Sequence, residues 1–244
     1  MNIFFMGTPE FAVPTLDILN KNYNVIGVFT QPPRPSGRGM KEIKSSIQQY
    51  SEKNKLNFYT PNNLKKDETL KLLVSLNPDL IVVVAYGLLI PEVILKIPSY
   101  GCINGHASLL PKWRGAAPIQ RAIEAGDIKT GCTSMLMEKG LDTGPMIHKK
   151  EILIKMENDV IDLFKSLSLL TAECLHETIQ KLISGDSKQT PQNNLEASYA
   201  HKLTKEEGLI NWNNNSLNIY NKMRAFKIFP VSYTHLTLPT SFLV

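Results

Sequence analysis

The chain has 244 residues, 43% of them hydrophobic and 20% charged, which excludes fibrous, collagenous and wholly disordered classes. A net charge of +5 favours a polyanionic partner only weakly. No apolar run reaches the roughly 18 residues that a membrane helix needs, so no membrane partner is expected.

The first residues, Met1-Asn2-Ile3, lack a basic leader region and run straight into a strand pattern, so no signal peptide is expected. Cys102, Cys132 and Cys174 show neither metal-ligand spacing nor a disulfide framework, which predicts no metal and a reducing, cytoplasmic setting.

Asn2 to Met6 is an apolar strand broken by Gly7. Pro9 is expected to open a helix reaching about Lys21, because a first-turn proline loses no helical hydrogen bond. Tyr23 to Thr30 reads as a second strand. The Pro/Gly-rich segment Gln31 to Gly39 cannot be helix or sheet interior. Helices are expected over 43–54 and 65–76, and strands over Asn57–Thr60, Leu80–Ala85 and Gly101–Gly105.

Further on come a strand from Ile147 to Ile154 and a long helix from Val160 to Ser184, ended by Gly185. A polar linker follows from Asp186 to Glu196, then an amphipathic helix from Leu217 to Phe226. Alternating short apolar strands and helices predict an α/β, Rossmann-like, mainly parallel sheet. Gly7-Thr8-Pro9-Glu10-Phe11 occupies the place of a dinucleotide fingerprint but lacks its second and third glycines. Glu10 adds a negative charge where a pyrophosphate would approach, which argues against a nicotinamide enzyme.

Asn104 and His106 stand two apart at the end of a strand, so their side chains share one face. An amide that donates to an oxyanion beside an imidazole that exchanges protons suits acyl transfer. A capping asparagine and a surface histidine would give the same spacing. Four of the five arginines, Arg34, Arg38, Arg114 and Arg121, fall in two short segments. Chance is one account; the other is anion recognition by forked guanidinium groups.

Asn104-Gly105-His106-Ala107-Ser108-Leu109-Leu110-Pro111, then Arg114-Gly115-Ala116-Ala117-Pro118, then Leu141-Asp142-Thr143-Gly144, resembles the folate-dependent formyltransferase signature in order and spacing. Several other segments resemble the branch of that family acting on methionyl initiator tRNA. They are Gly7 to Ala12, Gln31 to Gly39, Val84 to Pro91, Trp113 to Pro118 and the stretch from Tyr199 to Trp212.

The resemblance implies transfer of a formyl group from 10-formyltetrahydrofolate to the α-amino group of methionyl initiator tRNA, by a monomer without a metal. It implies Asn104 as oxyanion donor, His106 as proton carrier and Asp142 as the group that orients His106. The folate contacts it implies are Ser108, Leu109, Leu110 and Pro111, with Tyr86, Gly87, Leu88 and Leu89 alongside. Ordinary strand-to-helix packing is the other reading of that second loop. Arg34, Arg38 and Lys41 resemble a tRNA-contacting loop, where a solvated basic loop is the alternative.

Two rivals share parts of this pattern: a folate formyltransferase acting on a small amine such as a nucleotide sugar, and a noncatalytic RNA-binding module. The resemblance implies a catalytic domain over 1–188, a linker over 189–207 and the start of a C-terminal β-barrel domain over 208–230. Val231 to Thr240 resembles the translation of a sequencing adapter, so 231–244 is expected to be non-native.

Overall fold

The structure, a computed structural model, describes residues 1–36 and 41–234. Its seven-stranded central sheet has five parallel strands. They are β1 (Asn2–Gly7), β2 (Asn24–Phe29), β5 (Phe58–Tyr59), β6 (Leu80–Val84) and β7 (Cys102–His106). Two antiparallel strands, β9 (Lys129–Leu136) and β10 (Met146–Leu153), extend it beyond β7. The order is β10-β9-β7-β6-β1-β2-β5. The chain turns from one side of β1 to the other between β5 and β6, which opens a crevice at the carboxyl ends of β1 and β6.

Alternation sends Ile3 and Phe5 of β1 into one apolar cluster, and Phe4 and Met6 into the other. On the first face lie α1 (Val13–Asn22), α5 (Pro118–Glu124) and α6 (Val160–Ser184). On the second lie α3 (Asp67–Leu76) and α4 (Glu92–Leu95), which supply Leu73 and Ile94. Every residue of β6 is buried, as expected of a central strand covered on both faces. The start of α6 is fixed by a capping box between Asp159 and Asp162, its end by Gly185 at φ +79°.

Some expectations shift. The helix after Pro9 is a single 3-10 turn, Glu10–Ala12, before α1 proper begins at Val13 with Pro14 in its first turn. Part of the Pro/Gly-rich segment forms a small ribbon outside the main sheet: β3 (Arg34–Ser36) pairs antiparallel with β4 (Lys41–Ile43). The helix expected over 43–54 is α2 (Ser46–Lys53). Strand β9 had no sequence signal, because its buried run Gly131-Cys132-Thr133-Ser134 is small and polar rather than β-branched apolar.

The stretch expected as a linker is packed onto the domain. Thr190 pairs with Met146, and β11 (Tyr199–Ala200) runs parallel to β8 (Arg114–Gly115). Then comes α7 (Ser216–Ala225), against α5. Val231 to Tyr233 lie beside Gly208 to Ile210, with Tyr233 N donating to Gly208 O and Ile210 N donating to Tyr233 O.

Candidate active site

Strand β7 ends the parallel part of the sheet and delivers Asn104 and His106 to its carboxyl edge. His106 is 6% exposed. Its Nε2 lies 2.7 Å from the carbonyl oxygen of Trp113. A carbonyl only accepts, so Nε2 carries the proton and Nδ1 is left with the lone pair. Nδ1 faces Asp142 Oδ2 at 3.7 Å.

Asp142 comes from the loop between β9 and β10. Its Oδ2 accepts the Gly115 amide at 2.9 Å, and its Oδ1 lies 3.5 Å from Asn104 Nδ2. Asn104, His106 and Asp142 therefore converge. An amide nitrogen carries two donors, so one engagement with Asp142 leaves another for an oxyanion.

The tautomer departs from triad logic. In a serine-protease triad the carboxylate holds Nδ1–H and Nε2 does the proton work. Here Trp113 occupies Nε2, and the nitrogen left open is on the same side as Asp142. A proton gained by Nδ1 is met directly by the carboxylate.

Trp113 and Gly115, read in the sequence only as part of a signature, thus supply backbone groups to both residues. Trp113 has φ +63°, and its indole N–H is anchored on Asp127 Oδ2 at 2.8 Å. Gly115 has φ +118°, and a Cβ there would meet Ala200 O at 2.8 Å, so the turn requires glycine.

Ser108 to Pro111 hold their own turn together. Ser108 Oγ donates to Lys112 O at 2.6 Å. Buried Thr133 donates to Ser108 O at 2.7 Å and accepts from Leu110 N at 3.0 Å. Leu110 O accepts from Lys149 Nζ, and Pro111 O accepts from Ser198 N. Burial lowers the Lys149 ammonium from its ordinary value, with Glu196 opposing. Ser108 and Leu110 are buried, while Leu109 and Pro111 are half-buried. This turn contributes shape, since several of its backbone groups are already engaged.

The loop Tyr86 to Leu89 lies at the crevice between β1 and β6. Thr8 Oγ1 and Gln31 Nε2 both donate to the Tyr86 carbonyl, at 2.8 and 3.0 Å. Gly87 has φ +83°, and a Cβ there would strike Gln31 Nε2 at 2.4 Å. Leu88 is half-buried, and Leu89 stands 84% exposed. The Tyr86 hydroxyl is buried with no hydrogen-bond partner among the described residues, and burial pushes its pKa well above the ordinary value. An exposed apolar side chain on a glycine-shaped crevice loop fits one wall of a flat heteroaromatic ligand.

Arg34 is exposed on β3, and the backbone of Lys41 pairs with Ser36. Arg38 lies outside the described residues. Among the described residues no group of three or more His, Cys, Asp and Glu is placed to hold a metal, and no helix is long and apolar enough to cross a membrane.

The three cysteines are buried and unbridged, with burial raising Cys102 to about 12. Gln192, Ser198 and Thr133, which support the site, carried no sequence signal. Each acts through hydrogen bonds to loops distant in the chain.

Comparison with known proteins gives this geometry its relatives. The model of the formyl transferase family matches residues 1–179, and that of the formyl transferase C-terminal domain matches 202–241. The second match continues past Pro230, where the sequence reading ended the resemblance.

The chain is 45% identical over 237 residues to a methionyl-tRNA formyltransferase of Marinobacter nauticus, covering 97% of this chain and 76% of that one. It is 45% identical to the enzyme of that name from Idiomarina loihiensis, covering 96% and 74%.

Among solved structures, the methionyl-tRNA formyltransferase from Clostridium thermocellum superposes with a TM-score of 0.64 at 19% identity, covering 97% of this chain and 88% of that one. An N-formyltransferase from Helicobacter canadensis, in complex with folinic acid and dTDP-3-aminofucose, gives 0.71 at 21% identity, covering 96% and 84%. These two likenesses concern the fold. With one family model spanning most of the chain and relatives at 45% identity, the chain belongs to the formyl transferase family.

Proposed function

We propose that the chain transfers a formyl group from 10-formyltetrahydrofolate to the α-amino group of methionyl initiator tRNA, at Asn104, His106 and Asp142. What carries the choice of acceptor is the identity of 44–45% with methionyl-tRNA formyltransferases over 96–97% of the chain. The folate, when bound, supplies the activated formyl carbon. The crevice loop Tyr86 to Leu89 would hold it, shaped from behind by the turn Ser108 to Pro111.

The acceptor amine must arrive unprotonated, and an α-amino group titrates near about 7.7–8.0, so a useful fraction is already neutral. The protein's work is then positioning, charge stabilisation and proton transfer. Asn104 Nδ2 donates to the oxygen on which negative charge develops. His106 takes the proton released by the attacking nitrogen at Nδ1, the nitrogen that Trp113 leaves open, and would return it to the donor's N10 as the bond from N10 to the formyl carbon breaks and tetrahydrofolate leaves. Asp142 steadies the imidazolium so formed.

In this reading residues 1–188 form the catalytic domain, 189–207 the connection and 208–230 the start of the second domain, with Arg34, Arg38 and Lys41 contacting tRNA phosphates. The test is formylation of methionyl initiator tRNA by the 244-residue chain with 10-formyltetrahydrofolate. Uncharged tRNA and a sugar-nucleotide amine serve as controls. Transfer to the sugar amine with none to the charged tRNA would reject the assignment.

A further inference from the structure

After α6 the chain stays on the domain. Thr190 and Met146 exchange two backbone hydrogen bonds of 2.8 Å, Arg114 N donates to Ser198 O at 2.8 Å, and Trp113 N donates to Ser198 Oγ at 3.0 Å. The segment from Thr190 to Ala200 is therefore a strap laid over the two loops that carry Trp113–Gly115 and Asp142.

Gln192 sits in that strap and joins the two loops. Its Nε2 donates to the carbonyl oxygens of Asp142 and Gly144, both at 2.8 Å. Its Oε1 accepts from Arg114 Nε at 2.9 Å. The amide cannot be turned over: a guanidinium only donates and a backbone carbonyl only accepts, so oxygen must face Arg114 and nitrogen the loop. Arg114 is 2% exposed, and its other side-chain partner, Asn194 Oδ1 at 3.0 Å, is neutral too. A buried cation held by neutral dipoles gives each dipole a fixed direction.

The loop it grips carries a left-handed residue and a close backbone approach. Asp142 has φ +52°, a left-handed conformation that is costly for a residue other than glycine. Two residues on, a Cβ at Gly144 would lie 1.8 Å from Leu136 O, so the backbone there presses against β9.

We propose that Gln192 is a positioning residue for formyl transfer. It pins the Asp142 backbone in its left-handed conformation, so that the carboxylate reaches the Gly115 amide and faces His106 Nδ1. This rests on the reading of Asp142 given above.

The informative variant is Gln192→Glu. It keeps an oxygen for Arg114, now as an ion pair, but sets a second oxygen against the two carbonyls that Nε2 now serves. If Gln192 mattered only by satisfying Arg114, the variant would behave as the parent. Gln192→Leu removes both functions and is the variant at risk of misfolding, so Gln192→Glu decides.

The expected result is a single-turnover formyl transfer rate at least about tenfold lower with saturating donor and methionyl initiator tRNA, while donor affinity and melting temperature stay near parental. Hydrogen exchange of the Gly115 amide, measured without substrates, should quicken by a similar factor as the Asp142 carboxylate lets go. Parental rate, or parental exchange at Gly115, would overturn the proposal. An Asp142→Asn arm separates the two readings. Parental transfer there would defeat the catalytic assignment, whereas a slow Asp142→Asn beside a parental Gln192→Glu would defeat the positioning role alone.

Discussion

Asp142 Oδ2 and the Gly115 amide meet at 2.9 Å although 27 residues separate them in the chain. The contact ties the loop after β9 to the turn at β8, and it aims a carboxylate at the imidazole of His106. A site assembled this way depends on charge at Asp142 as well as on its shape.

Replacing that charge should stop the chemistry and spare the fold. Asp142→Asn can still offer an oxygen to Gly115, so the loop should stay in place. Without the carboxylate, a proton on His106 Nδ1 loses its counterion. The rate of formyl transfer should fall by at least about a hundredfold, within the range of general acid–base contributions. His106→Ala should be similarly slow, and the double variant little slower, because residues acting as one unit do not add their losses. Single-turnover kinetics with a parallel donor titration would check this; transfer within about threefold of the parent would make Asp142 structural.

Thr133→Val tests how the turn Ser108 to Pro111 is held. The two side chains have nearly the same shape, but valine neither donates to Ser108 O nor accepts from Leu110 N. The Leu110 amide would be buried without a partner, a loss of about 1–3 kcal/mol. Urea denaturation should show that loss, and donor binding should weaken, because the turn backs the crevice. Parental stability would mean that the turn holds its own shape.

Arg121 pairs with Glu207 and so fastens α5 to the segment leading to α7. The Arg121 guanidinium, by hydrogen bond, holds the Glu207 carboxyl below its ordinary 4.5. Between 4.5 and that depressed value the unfolded chain binds a proton that the folded chain does not. The pair's contribution is therefore complete above 4.5 and lost as pH falls through the folded value. Glu207→Gln should be less stable than the parent by about 0.5–1 kcal/mol at pH 7, with the gap closing in acid. Urea midpoints from pH 7 down to about 3.5 would show it; a gap independent of pH would assign the effect to packing.

Arg34→Ala and Arg38→Ala should lower the rate with methionyl initiator tRNA below saturation and leave donor affinity unchanged. If each arginine meets one phosphate, each loss should flatten the salt dependence of tRNA binding by roughly 0.7–0.9 in log–log slope. Unchanged slopes would remove these residues from the tRNA contact.

Much of the fold could be read from local pattern. The strands of the parallel sheet, and α6 with its terminal glycine, follow from apolar periodicity and end signals, because those preferences act within a few residues. The shared face of Asn104 and His106 is equally local, a consequence of the two-residue strand repeat.

Three features were decided only by the tertiary structure: the orientation of His106 by the Trp113 carbonyl, the arrival of Asp142 from 38 residues beyond Asn104, and the grip of Gln192 on Arg114 across 78 residues. Strand β9, small and polar along its buried run, belongs with them. Each depends on which strands lie side by side and which loops thereby meet at the sheet's carboxyl edge. That is set by the packing of the whole domain, and no short stretch of sequence encodes it.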